Sequence, residues 1–470
     1  MSALPAAITA EPQPQAPGLL SEDLLRRFDT PGPRYTSYPT ADRFTEDFGA
    51  DAALRTLASS PVAPVSLYVH IPFCESVCYY CACNKVITRH HERAAEYLDA
   101  LDAEIGLVQA ALGARRAATQ LHLGGGSPTF LSDAELARVV ASLRGAFDLD
   151  AQAELSIEVD PRTVTAERLA YLRTLGFSRI SFGVQDFDPQ VQQAVHRVQP
   201  HAAVRDLMHS ARELGFESIN ADLIYGLPKQ TPQSFARTIA QIRDLRPDRI
   251  ALYAYAHLPQ RFKPQRRILS DDLPSAAQRV AMLGEAIASL HAGGYGYIGM
   301  DHFALPGDAL AEAREQGRLH RNFQGYTTQP DGDLIGLGVS AISSVAATYH
   351  QNVRTLPEYY AALKQGQLPV QRGVALDRDD LARRAIIMAL MCQGRVEFSS
   401  IEQAHGVRMS EDFAPELAHL APLAAAGLVE IEPGAVQVTP TGWYVVRAVA
   451  MAFDRHLRRE PARERFSRIV

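Results

Sequence analysis

No run of apolar residues approaches the ~18 that a membrane-spanning helix needs, so an integral helical membrane protein is excluded. Positive charge is not in excess. The 47 Lys and Arg are outnumbered by 53 Asp and Glu, which argues against nucleic acid as a general partner. Cysteine is sparse: five in 470 residues, an odd number, do not make a disulfide framework. The opening MSALPAAITAEPQPQAPG lacks the charged start and long apolar stretch of a secretory signal, and residues 1–20 read as a disordered Ala- and Pro-rich tail. These absences leave the expectation of a protein of the reducing cytoplasm, with no membrane or nucleic acid partner. A hydrophobic content of 47% and a charged content of 21% suit a globular chain, and the length allows a major domain plus a smaller one.

The few cysteines that exist are concentrated. Cys74, Cys78, Cys81 and Cys83 fall together in HIPFCESVCYYCACNK, a C-x3-C-x2-C-x-C pattern. Three thiolates at C-x3-C-x2-C can wrap one corner of a [4Fe–4S] cubane, each on its own iron. Ordinary electron carriers close the cluster with a fourth Cys. Three ligands on a tight loop leave the fourth iron open to a small molecule. A structural zinc site is the plainer alternative, but it usually takes two knuckles from separate segments, and no second knuckle is present.

Strand-like runs alternate with helical ones: 66–70, 120–123, 154–159, 179–184, 218–225 and 249–255. Leu98, Leu101, Ile105, Val108 and Leu112 mark an amphipathic helix, and Ser132 with Glu135 has the capping-box spacing. Leu175-Gly176-Phe177 and Leu214-Gly215-Phe216 each end a helix and feed a strand, with Gly suited to the left-handed position. Six βα units of this kind predict a parallel barrel or partial barrel; periodicity alone does not decide between six open units and eight closed ones. The cysteine loop, Gly124–Gly126, Glu158, Gln185, Asp222 and Ala256 all fall at or near the C-terminal sides of successive strands, where α/β barrels place their active sites. From about Asp377 to Asp454 the pattern becomes helical around 385–390 and 413–426, with a short alternation LVEIEPGAVQVT. This is the signature of a small helical or winged-helix-like domain. The expected division is a tail (1–20), an N-terminal arm (21–64), a barrel with its extension (65–370) and a C-terminal domain (371–470).

Ten segments in order narrow the reading: PRYTSYPTA (33–41), YVHIPFC (68–74), CYYCACNK (78–85), GGGSPT (124–129), SIEVDPR (156–162), GVQDF (183–187), DLIYGLPKQT (222–231), YAHLP (255–259), GMDHFA (299–304) and HRNFQGYTTQ (320–329). Together they resemble the oxygen-independent coproporphyrinogen III oxidases (dehydrogenases) of the radical S-adenosylmethionine (SAM) superfamily. The resemblance implies the open form, a partial (β/α)6 barrel. It implies Cys74, Cys78 and Cys81 as cluster ligands, and two SAM molecules side by side. SAM-contacting positions would be Tyr68, Tyr80, Gly125, Gly126, Ser127, Glu158, Gln185, Arg197, Asp222, Ala256 and Ile342. Cys83, which the family does not use as a ligand, and Tyr68 are expected to act near substrate. Tyr80 and Ser127 stand where Phe and Thr are common, both conservative departures. Read without the resemblance, Ala256 and Ile342 are ordinary core residues and Arg197 an exposed helix cation.

The implied reaction takes a hydrogen from the β-carbon of a propionate, then loses CO2 and one electron to leave a vinyl group. On two propionates of coproporphyrinogen III this gives protoporphyrinogen IX, in anaerobic heme biosynthesis. A reduced flavodoxin or ferredoxin-type donor would supply the cluster. A flexible apolar macrocycle with four carboxylates calls for aromatic walls and a few cations. Arg34, Lys85, Arg89, Lys229, Arg321 and His302 are candidates, with Tyr35 and Tyr38 closing over the site from the arm. The rivals are a radical SAM enzyme acting on another tetrapyrrole and a related heme chaperone without oxidase activity. Chaperones of that kind typically replace the fourth cysteine with Phe and lack the PRYTSYPT arm, whereas this chain has both.

Overall fold

The computed structural model describes residues 27–28, 30–330, 332–459 and 466; the tail expected over 1–20 and most of the basic stretch beyond 459 lie outside them. Six segments form parallel strands in chain order: β1 (Val65–Ile71), β2 (Ala117–Gly125), β3 (Asp148–Val159), β4 (Arg179–Gln185), β5 (Ser218–Tyr225) and β6 (Arg249–Ala254). Each pairs only with its chain neighbour in this run, because every return passes through a helix on the outside. The helices are α1 (Arg93–Leu112), α2 (Asp133–Ala146), α3 (Ala166–Thr174), α4 (His201–Glu213), α5 (Pro232–Leu245) and α6 (Ala276–Ala292). α1 buries Leu98, Leu101, Ile105, Val108 and Leu112, the stripe that its spacing predicts. Ser132 and Glu135 make the reciprocal capping box at the start of α2, and Gly176 and Gly215 take φ of 101° and 76°.

The sheet does not stop at these six strands. Beyond β6 it continues antiparallel through β8 (His302–Ala304) to β7 (Gly296–Gly299). On the far side of β1 lie β9 (Asp333–Leu337), pairing parallel with β1, and then antiparallel β10 (Ile342–Val345), β11 (Thr348–Asn352) and β12 (Val370–Ala375). The twelve-stranded sheet has two separate edges, β7 and β12, so the barrel is open, as the resemblance implies. The boundary expected at 370/371 falls inside β12. The architecture changes a few residues later, where the Asp377 side chain caps α7 (Arg378–Gln393).

The C-terminal region contains α7, short helices and a three-stranded antiparallel sheet of Arg395–Glu397, Val429–Glu432 and Ala435–Val438. The helix expected over 413–426 is broken into Ala414–His419 and Ala421–Ala425, because Pro415 and Pro422 each start a new turn.

Two buried polar networks hold the extensions in place. Glu104 of α1 accepts hydrogen bonds from Gly338 N (2.7 Å), Asn352 Nδ2 (2.6 Å) and the Tyr359 hydroxyl (2.5 Å), pinning the turn between β9 and β10 to the helix. Burial pushes its carboxyl up to about 7 against the pull of those three donors. The second network corrects an expectation. Tyr35 and Tyr38 do not close over the site; both are buried against the C-terminal segment. Tyr35 donates to Asp454 Oδ2 (3.0 Å), and the Tyr38 hydroxyl accepts from Arg455 N (3.2 Å). Arg447 donates to the carbonyls of Gly32 and Pro33.

Tyr359→Phe removes one donor from a buried carboxylate and is expected to lower the unfolding free energy by about 1–3 kcal/mol. Urea titration followed by circular dichroism measures it, and an unchanged midpoint would mean that Glu104 does not carry the junction.

Candidate active site at the C-terminal edge of the sheet

Parallel pairing brings the C-terminal ends of β1 to β6 to one edge, and a cavity of about 420 Å³ opens there. Its wall includes Cys74, Cys78, Cys81 and Cys83 from the loop after β1, with Tyr80. Gly125, Gly126 and Ser127 come from the end of β2, Glu158 from β3 and Gln185 from β4. Asp222 comes from β5 and Arg197 from the segment after β4. Twelve expected site residues therefore share one cavity.

The thiols sit in contrasting surroundings. Burial pushes Cys74 up to about 12, with the neighbouring Cys81 and Cys78 charges adding to it. Cys81 is drawn down to about 6, first by a hydrogen bond with Cys83 and further by Lys85. The Cys78 sulfur accepts from Arg162 Nη2 and Arg197 Nη1, each at 3.5 Å. Both guanidinium groups also reach Asp160 Oδ2, at 2.6 and 3.1 Å. Among the described residues no three His, Cys, Asp or Glu side chains converge as they would on a single metal ion. A structural zinc draws four donors to one point. Here Cys74, Cys78, Cys81 and Cys83 line one wall, and the first three are the donor set expected from the resemblance for the larger iron–sulfur cluster.

Around the thiols the cavity is polar and held in place. Glu158 accepts from Gly125 N (3.1 Å) and lies 3.3 Å from His122 Nε2. Burial would raise this carboxyl, but His122, the Gly125 N–H and His70 hold it below its usual range. Asp222 goes the other way. It is pushed up to about 6 by burial, despite bonds from Ser181 (2.8 Å) and Asn220 (2.9 Å). Gln185 ends β4 with φ of 66°, a conformation that non-glycine residues avoid, and its buried Oε1 has no partner. An orphaned acceptor of this kind suits a ligand that donates a hydrogen bond.

The glycine run has a reason that its sequence did not disclose. A Cβ at Gly125 would meet the His70 ring at 2.5 Å, and one at Gly126 would meet Pro72 O at 2.6 Å. These glycines let β2 pass under the cysteine loop, whether or not a ligand is bound. Arg197 is no exposed helix cation. It is buried past the end of its helix, with Nη2 donating to Gly183 O at 2.6 Å.

A second cavity, of about 390 Å³, adjoins the first and shares Cys83, Gly125, His122 and Glu158 with it. Tyr68 and Ile342 line this second space, Ile342 from β10 in the antiparallel extension. The Tyr68 hydroxyl lies 3.0 Å from His70 Nδ1, and its ring stacks on His122 at 5.9 Å. Cys83 is exposed at the junction of the two cavities. Ala256 stands apart from both; its carbonyl accepts from Gln265 Nε2 at 3.2 Å.

The candidate cations divide. Arg34, Arg321 and His302 gather near the aromatic wall. Arg34 lies 5.3 Å over Tyr253 and pairs with Asp301 at 2.9 Å; Arg321 lies 4.7 Å over Tyr326. His302, lowered to about 3 by burial and the Arg321 charge, meets both tyrosines edge-on. Lys85 spans the cysteine loop, donating to Cys81 O at 2.9 Å. Lys229 is paired with Asp272, and Arg89 is exposed on the surface.

His70, His122, Asp160, Arg162 and Gln265 were not foreseen as site residues. The two histidines carried a usable signal, since each interrupts a buried strand with a polar side chain. Asp160 and Arg162 flank a proline that begins a turn, which alone signals structure.

Comparison with known proteins agrees with this geometry. The model of the radical SAM superfamily matches residues 68–242, and that of the HemN C-terminal domain matches 376–445. The oxygen-independent coproporphyrinogen III oxidase of Escherichia coli (strain K12) is 49% identical over 447 residues, covering 95% of this chain and 98% of the relative. The Pseudomonas aeruginosa protein of that name is 49% identical over 454 residues, covering 95% and 98%, and that of Helicobacter pylori (strain 26695) is 42% identical over 439 residues, covering 92% and 96%. A solved structure, the coproporphyrinogen III oxidase (HemN) from Escherichia coli, superposes with a TM-score of 0.88 at 50% identity, covering 90% of this chain and 98% of that one. This chain belongs to the oxygen-independent coproporphyrinogen III oxidases of the radical SAM superfamily.

Proposed function

We propose that this chain converts coproporphyrinogen III to protoporphyrinogen IX by oxidative decarboxylation of two propionates, in heme biosynthesis. The observation that carries the reading is the thiols of Cys74, Cys78 and Cys81, with Cys83, on one wall of a cavity that also holds Glu158 and Gln185 from the ends of β3 and β4 and Asp222 from within β5. Membership of the family implies a [4Fe–4S] cluster and SAM. The chemistry they supply when bound is a one-electron cleavage that generates a 5′-deoxyadenosyl radical, able to take a hydrogen from a propionate β-carbon.

The residues of the chain hold and orient. Cys74, Cys78 and Cys81 bind the cluster, and Arg162 and Arg197 donate to the Cys78 sulfur. Gln185, Glu158 and Asp222 accept from hydroxyl and amine groups of SAM, while Tyr80, Gly125, Gly126 and Ser127 shape its bed. Tyr68 and Ile342 would hold a second SAM in the adjoining cavity, which shares Glu158 and Gly125 with the first. Cys83, exposed at their junction, would act near the substrate, with Tyr68 lining the same second cavity. Ala256 lies outside both cavities, and its carbonyl steadies Gln265 instead of lining the SAM bed.

Arg321 has a buried Nη1 with no partner, and the residue lines a third cavity of about 300 Å³ between the arm, the hairpin of His320–Asn322 and Gly325–Thr327, and α7. We assign it to a substrate propionate, with Tyr253 and Tyr326 against the macrocycle. The working units are the arm, the barrel with its extension and the C-terminal region, in a monomer fed by a reduced flavodoxin or ferredoxin-type donor.

Three outcomes test this. In anaerobic turnover with SAM, reductant and coproporphyrinogen III, 5′-deoxyadenosine and vinyl products appear together, and both vanish in Cys74→Ser; deoxyadenosine without vinyl product would move the substrate elsewhere. Arg321→Met loses a charge-assisted bond worth about 1.5–3 kcal/mol, so KM for the porphyrinogen rises about 10- to 100-fold with kcat little changed. Asp222 is ionised above about pH 6 and neutral below it. Because a donor on SAM binds the ionised form better, SAM affinity by equilibrium dialysis is expected to weaken from pH 7 to pH 5, and Asp222→Asn to flatten that dependence.

A further inference from the structure

The surface beside the cysteine loop carries cations that the chemistry above does not use. In the run RFKPQRR, Arg261, Lys263, Arg266 and Arg267 are all exposed, and none lines the three cavities. Among the described residues, Lys263, Arg266 and Arg267 meet no carboxylate; Arg266 Nε donates to Pro259 O (3.1 Å) and Arg267 Nη1 to the Tyr79 hydroxyl (2.9 Å). The Arg267 guanidinium also lies 5.1 Å over the Tyr79 ring.

Tyr79 places this patch next to the cluster. It follows Cys78 directly and precedes Cys81 by two residues. Its ring stacks on His196 at 5.1 Å, and His196 Nδ1 donates to Val77 O at 2.8 Å. Beneath the patch, buried Gln265 donates to Tyr80 O at 2.9 Å. The cations are thus fixed to the backbone of the loop that carries the thiols.

An apolar component accompanies them. Val198 is 60% exposed and Leu269 65% exposed, two of the three large hydrophobics exposed to that degree among the described residues. Their near neighbours in sequence, Val195 and Ile268, pack with Tyr79 and Tyr80 in one small cluster. Apolar contacts beside Lys263, Arg266 and Arg267, on a chain of net charge −6, make a surface complementary to an acidic protein. The other basic stretch near the loop, Arg89 to Arg93, lacks this character, because His90 pairs with Glu92 and His91 with Glu135.

We propose that Arg261, Lys263, Arg266 and Arg267, with Val198 and Leu269, form the docking surface for a small acidic one-electron carrier protein. The inference rests on the radical SAM reading, which requires electrons to be delivered from outside. In each encounter the carrier is oxidised by one electron and the cluster reduced by one, with no bond made or broken.

The test uses reconstituted enzyme, an acidic flavodoxin as the probe, and the variant Lys263→Glu/Arg266→Glu. Two quantities are read at low salt: binding of oxidised flavodoxin by fluorescence anisotropy, and stopped-flow bleaching of the cluster by reduced flavodoxin. Both are expected to fall about tenfold or more in the variant, and in the wild type to weaken as salt is raised. Leu269→Ser, which carries no charge change, is expected to weaken binding without altering that salt dependence. Reduction by dithionite, which needs no docking, and SAM cleavage driven by it should be unchanged in both variants. Flavodoxin binding and bleaching equal to wild type in the double variant would overturn the proposal. So would an equal loss with dithionite, which would place the effect in loop packing. Failure of dithionite to yield 5′-deoxyadenosine in the wild type would instead overturn the radical reading, and it is visible without flavodoxin.

Discussion

Parallel pairing of β1 to β6 is the constraint on which everything else depends. Because each strand runs the same way as its neighbour, residues far apart in sequence arrive at one edge without any loop having to travel. Glu158 reaches Gly125 because β3 lies beside β2, and Asp222 reaches Ser181 because β5 lies beside β4. The site is an end face, and its precision is that of the sheet rather than of flexible segments.

On that face the electrostatics are arranged in opposed pairs. Asp160 answers two guanidinium groups that would otherwise both bear on the Cys78 sulfur. Neighbours hold the Glu158 carboxyl below its usual range, whereas burial pushes Asp222 up to about 6, although both are enclosed acids lining one cavity. Two carboxyls with different proton affinities offer different partners to a ligand that carries hydroxyls, an amine and a carboxylate.

Much of this was legible in the sequence, for identifiable reasons. The strands were readable because alternation and apolar runs set the core, and the strand ends placed the cysteines, Glu158, Gln185 and Asp222 together. Arg197 was not readable as a site residue, because its burial depends on a turn after the helix rather than on any periodicity. The continuation of the sheet through β9 to β12 also escaped notice, since short antiparallel strands of mixed polarity give little signal. Tyr35 and Tyr38 misled for a related reason. Their partners are more than 400 positions away, at Asp454 and Arg455, and nothing local announces them.

β1 occupies an interior place in the sheet, and this has a bearing on the order of assembly. One of its two flanking partners, β9, is translated about 270 residues later, and the bond from Tyr35 to Asp454 closes a span of 419 residues. Contacts of such sequence separation form late, because the intervening chain must be made and ordered first. The cysteine loop follows β1 directly, so while the ribosome is still at work it hangs from a strand with one open flank. A finished cradle for iron and sulfur therefore waits on chain made long after the thiols, because the wall of the cavity they share runs on to Tyr326.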